Sequence, residues 1–198
     1  MADHEVVKRI LALALLVIVS ACSSTSGPTV LSTRNVHPAS NPNASIVVLE
    51  YTDLQCPSCR NAHETIVKPL LAQQGTRIRY EFRHFPLRSM HPQALGAAMA
   101  AECASDQGRF WDYVDLAFRK QRQMSAESLR AWAAELALEM PRFEECLASE
   151  SKRELVLSEY QEGKKRGVYG TPTFFVNGDL VGEDTLEAIQ DAIDAAAK

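Results

Sequence analysis

Ile46-Val47-Val48-Leu49-Glu50-Tyr51-Thr52 runs, three residues later, into Cys56-Pro57-Ser58-Cys59, and this stretch decides the fold. The first segment is β-branched and apolar, as a strand inside a sheet should be. Beyond the cysteines, Ala62, Ile66, Val67 and Leu70-Leu71 fall at helical spacing. Pro57 suits a first helical position, where no N–H is needed. Two thiols at i and i+3 on a helix's first turn can close a small disulfide. The first also faces the free N–H groups and positive end of the helix, which stabilise a thiolate. A redox-active dithiol is therefore expected. The rival for a C-x-x-C is zinc, with His63 as a third ligand. A structural zinc site wants four ligands, usually from two such pairs, and no second pair exists. His63 is read instead as a polar position on the helix.

The chain has 198 residues, enough for one domain with a sizeable core and an inserted subdomain. Its formal net charge of −4, with Lys164-Lys165-Arg166 as a short basic run, offers no field for nucleic acid. Residues 1–21 read as a signal peptide: Lys8-Arg9, then an apolar run Ile10 to Val19 too short for a comfortable membrane span. Val19-Ser20-Ala21-Cys22 resembles the lipobox of bacterial lipoproteins, which implies cleavage before Cys22 and acylation there; an ordinary signal peptide is the alternative. Residues 22–43 are polar and read as a flexible tether, about twenty residues with a reach of roughly 25 Å. Val30-Leu31 and Val36 offer a short edge strand that would end the tether earlier.

Of five cysteines, Cys22 and the C-x-x-C leave Cys103 and Cys146. In an exported chain these two are expected to pair, stabilising by about 4 kcal/mol through loop closure; two buried free thiols are the alternative. Arg77 to Phe85 alternates charged and apolar residues, a strand with one buried face. Residues 91–167 are helical throughout, with breaks near 105–108, 124–125, 140–141 and 149–151. Thr173-Phe174-Phe175-Val176 is a strand, Asn177-Gly178 a two-residue hairpin signal, and Leu180-Val181 the return. Asp184 is expected to cap a last helix whose inner stripe is Leu186, Ile189 and Ile193.

This order, a βαβ half (44–90), a helical insertion (91–167) and a ββα half (168–198), resembles the DsbA-like branch of the thioredoxin superfamily. Gly170-Thr171-Pro172 with the hairpin after it looks like that family's cis-proline loop. Glu50 matches its buried acid, and Phe85-Pro86-Leu87, His91-Pro92, Glu102-Cys103-Ala104 and Phe110-Trp111 look like the helical-insert pattern of DsbA and BdbD. The resemblance implies an α/β thioredoxin-like fold, a central mixed sheet flanked by helices with an all-helical insertion. It implies a thiol-disulfide oxidoreductase in which Cys56 is the nucleophile and Cys59 the resolving partner. Thr171 and Pro172 would then line the substrate groove, and Glu50 would relay protons to Cys59. A surface-facing Glu50 and a plain strand-initiating Pro172 are the bland alternatives.

The implied setting is the cell envelope or periplasm, the chain anchored through Cys22 as a monomer. Exported protein thiols would be its substrates, a quinone-linked DsbB-like membrane protein its redox partner, and no cofactor is needed. Two departures bear on direction. Pro57-Ser58 stands where strongly oxidising members have Pro-His, and Thr171 where they have Val. A disulfide donor is the leading expectation, with a reductase next. A copper-handling or chaperone-like module on the same fold is the reading from another class.

Overall fold

The computed structural model describes His37 and residues 39–198; the expected signal peptide, Cys22 and the edge-strand residues Val30, Leu31 and Val36 lie outside them. Among the described residues no helix is long and apolar enough to cross a membrane.

Four strands form one mixed sheet in the order β2-β1-β3-β4: β1 (Ile46–Thr52), β2 (Ile78–His84), β3 (Thr173–Val176) and β4 (Asp179–Leu180). β1 runs parallel to β2, with Ile46 opposite Ile78 and Thr52 opposite His84. It runs antiparallel to β3, with Glu50 opposite Phe174. The crossover from β1 to β2 is α1 (Pro57–Ala62), a π-helical turn (His63–Val67) and α2 (Lys68–Gln74). Asn177 and Gly178 take φ of 49° and 96°, the positive pair a two-residue hairpin needs, so the β3–β4 turn forms where those residues stand.

Five helices fill the insertion: α3 (Ala94–Ser105), α4 (Phe110–Arg119), α5 (Ala126–Glu135), α6 (Met140–Ala148) and α7 (Arg153–Lys165). The last helix, α8 (Leu186–Ala196), is capped by Thr185, whose hydroxyl accepts from the Ala188 N–H at 3.2 Å. The cap therefore sits one residue beyond Asp184. A Thr there satisfies the orphan amide and leaves the Asp184 carboxylate outside the helix.

The main core lies between one face of the sheet (Val48, Tyr80, Phe82, Phe174) and α1, α4 and α8. The opposite face also is covered. β2 is buried along nearly its whole length, so the expectation of one buried face is corrected. α7 packs against β2, and Glu81 and Arg83, which read as a solvent face, pair at 2.8 Å beneath it. His84 N–H donates to the Glu159 carboxylate of α7 at 2.8 Å. Leu49, Tyr51, Phe85 and Phe175 close this second layer. α7 comes close because Gly163 has no side chain: a Cβ there would lie 2.7 Å from Phe85 and 2.9 Å from Tyr51.

The tether reaches the domain before residue 43. His37 is buried, stacks on Phe110 and bonds Glu102 at 3.0 Å, while Ser40 accepts from Tyr80 N–H at 2.7 Å. Its polar composition hides this because the contacts are made by polar atoms. Cys103 on α3 and Cys146 on α6 are joined by a disulfide, Cα atoms 5.9 Å apart.

Candidate active site

Cys56 is the N-cap residue of α1 and Cys59 lies in its first turn; both are thiols, and both are buried. The Cys59 thiol supplies the largest support for a Cys56 thiolate. Burial opposes it, and the Cys59 and Ser58 backbone N–H groups and Thr171 add to it, so Cys56 is brought down from 9.0 to about 5. Burial, then the neighbouring Cys56 and Glu50 charges, push Cys59 the other way, well above 9.0. Two cysteines three residues apart thus differ sharply in acidity because one thiol supports the other's charge while being itself the more deeply buried.

The surroundings are built from four directions. Thr171 and Pro172, joined by a cis peptide bond, lie across from the dithiol, and the Cys56 thiol donates to the Thr171 carbonyl at 3.5 Å. Beneath Cys59, Glu50 is 2% exposed on the inner face of β1 and accepts from the Tyr80 hydroxyl of β2. Burial first, with a smaller push from Asp184, raises the Glu50 carboxyl above its ordinary value. Glu50 does not face solvent. The family resemblance implied that position; its partner Tyr80 emerges only from the β1–β2 register.

Asp53 and Gln121 are neighbours of the dithiol that the sequence reading missed. The Asp53 N–H donates to the Cys59 sulfur at 3.4 Å. Its fully buried carboxylate accepts from the Gln55 and Leu87 N–H groups and from His91 Nδ1, at 2.7 to 2.8 Å. An Asp two residues before a free N–H is an Asx-turn signal that points to part of this role. Gln121, just past α4, donates both amide hydrogens, to the Leu54 and Cys56 carbonyls, each at 2.9 Å. His63 is a polar position on the helix, and a buried one: it packs against Phe118, with Nε2 2.5 Å from Asp115 Oδ1. A cleft of about 390 Å³ opens beside the pair, lined by Pro57, Ser58, Ile66, Pro172 and Asp184 among others.

Such a site suits thiol-disulfide exchange: an acidic thiol at the helix end, a far less acidic one below it, and a buried carboxyl that holds its proton more tightly than usual. A family profile described as Thioredoxin matches residues 34–195. The chain belongs to the thioredoxin family. Within that family, its fold is the DsbA-like one. A thioredoxin-like oxidoreductase from Silicibacter pomeroyi DSS-3 superposes with a TM-score of 0.68 at 26% identity, covering 79% of this chain and 89% of that one. BdbD from Bacillus subtilis, in its oxidised form, superposes at 0.69 and 22% identity, covering 79% and 89%. Among curated proteins, the Na(+)/H(+) antiporter NhaA 1 of Salinispora arenicola is 40% identical over 154 residues, 77% of this chain and 23% of that protein. This thioredoxin-family chain thus spans about a quarter of the length of the curated relatives it matches.

Proposed function

We propose that this chain is a thiol-disulfide oxidoreductase that donates disulfides to exported proteins, held at the cell envelope by lipid on Cys22. The carrying observation is the arrangement of the dithiol: Cys56 caps α1 with its sulfur 3.5 Å from the Thr171 carbonyl beside the cis Thr171–Pro172 bond, and Cys59 lies buried in the first turn, which favours a thiolate at Cys56 over one at Cys59. A reduced form stabilised in this way makes the disulfide easy to reduce, which is the property of a donor. The anchor rests on the sequence Val19-Ser20-Ala21-Cys22 alone.

In the reaction, a substrate thiolate attacks Cys56 Sγ of the oxidised pair. The Cys56–Cys59 bond breaks, and Cys59 leaves and takes a proton from solvent, with the buried Glu50 carboxyl as the relay. A second substrate thiolate attacks the substrate sulfur of the mixed disulfide and expels Cys56 as a stabilised thiolate. Two substrate thiols become one disulfide, and the enzyme gains two electrons and one proton, the other thiol proton passing to solvent. Thr171 and Pro172 flank the mixed disulfide and orient the peptide. Returning the pair to the oxidised form requires a two-electron acceptor, for which a quinone-linked membrane protein of the DsbB kind is the expected partner.

The test is the reduction potential of Cys56–Cys59 in the full chain, equilibrated against glutathione. A value near or above about −150 mV fits a donor. A value below about −230 mV replaces it with a reductase, the direction toward which Pro57-Ser58 leans.

A further inference from the structure

We propose that the cleft beside the dithiol is a side-chain pocket that favours substrates carrying lysine or arginine next to the reacting cysteine, with Asp184 as the residue that reads the charge. The inference rests on the exchange activity proposed above and names a substrate class for that site.

The pocket lies where a flanking residue must go. Pro57 adjoins Cys56 in the chain and Pro172 adjoins Thr171, and both line the cleft. A peptide cysteine bonded to Cys56 therefore directs a neighbouring side chain between them. Ile66 and the two prolines make the walls apolar, and Asn61 is neutral. Asp184 is the one lining residue charged at neutral pH. It forms no hydrogen bond or ion pair among the described residues, because Thr185 takes the capping of α8. An apolar slot edged by an unpaired carboxylate fits a long aliphatic stem with a cationic head. A glutamate side chain would meet like charge there, and a glutamine would leave the carboxylate unpaired.

Three dithiol peptides that differ only in Lys, Gln or Glu beside the cysteine test this against the oxidised full chain. Second-order rate constants are read by acid quench and thiol counting. Each is divided by the same peptide's rate with 2-hydroxyethyl disulfide, which carries no charge, so the quotient removes the effect of the neighbouring charge on the peptide thiol itself. The expected order is Lys over Gln over Glu, with Lys about fivefold ahead of Gln, the size of an exposed ion pair. Asp184→Asn brings the three within about twofold, and Asp184→Lys inverts the order. No order in the unmodified chain, or an order that survives both substitutions, overturns the pocket. If no peptide exchanges at all, the oxidoreductase reading itself fails and the pocket falls with it.

Discussion

Removing the Cys59 thiol should cost Cys56 much of its acidity. The thiol of Cys59 is the largest support for the Cys56 thiolate, ahead of the backbone N–H groups and Thr171. A hydrogen bond to a charged group contributes about 1.5–3 kcal/mol, and each pH unit corresponds to about 1.4 kcal/mol. In Cys59→Ala the Cys56 midpoint should therefore climb by about one to two pH units from its value of about 5. At pH 5.5, a midpoint near 6.5 lowers the thiolate fraction from about three quarters to about a tenth, so alkylation slows roughly eightfold. The assay is iodoacetamide labelling of the reduced chain from pH 4 to 9, with the adduct assigned to Cys56 by mass. A midpoint in the variant within about 0.3 of the parent would refute the argument and move the stabilisation to the helix end. A parent midpoint above about 8 would remove the basis for a donor.

Other outcomes follow from the same geometry. With Cys56 ionised and Cys59 protonated, reduction takes up one proton, so the potential should fall by about 30 mV per pH unit between pH 6 and 8 and by about 59 mV per unit below pH 5; a uniform 59 mV slope to pH 8 would contradict it. Glu102 accepts from His37 and His84, each at 3.0 Å, and although burial is the largest influence and pushes the other way, these bonds hold it at about 2 instead of 4.5. A depressed carboxyl stabilises the fold above pH 4.5 and loses that contribution as pH falls through 2. Glu102→Gln should accordingly lower unfolding free energy by roughly 3 kcal/mol at pH 6 and by less than half of that at pH 3 in urea titrations; an equal loss at both would contradict it. Gly163→Ala should destabilise by about 1–3 kcal/mol, because the added methyl meets the Phe85 and Tyr51 rings within 3 Å; an unchanged melting temperature would show that the rings give way freely.

What the sequence reveals and what it hides separate along one physical line. β1, the Pro57-started helix and the Asn177-Gly178 turn are specified by neighbours in the chain, so composition and spacing suffice to place them. Glu50 is legible because a carboxylate in an apolar strand is anomalous by itself. Its bond to Tyr80, the Gln121 hold on two carbonyls and the His37–Glu102–His84 cluster join residues from 18 to 67 positions apart. They depend on strand register and helix packing, which no local pattern carries. Arg79, Glu81 and Arg83 mislead for a related reason: alternating charge signals a wet face only when nothing with complementary charge covers it, and α7 does.

Gln121 bears on how freely the Cys56–Cys59 segment can be transplanted. Its amide belongs to the inserted helices, yet it fastens the carbonyls of Leu54 and Cys56, which belong to the sheet-bearing half. Trimming residues 91–167 to obtain a minimal redox cassette would strip two acceptors at Leu54 and Cys56 of their donor. Grafting Cys56–Cys59 onto another scaffold would lose the same anchor unless a matching amide came with it. The backbone at Cys56 is shared property of both halves, so neither can be exchanged as a self-contained part.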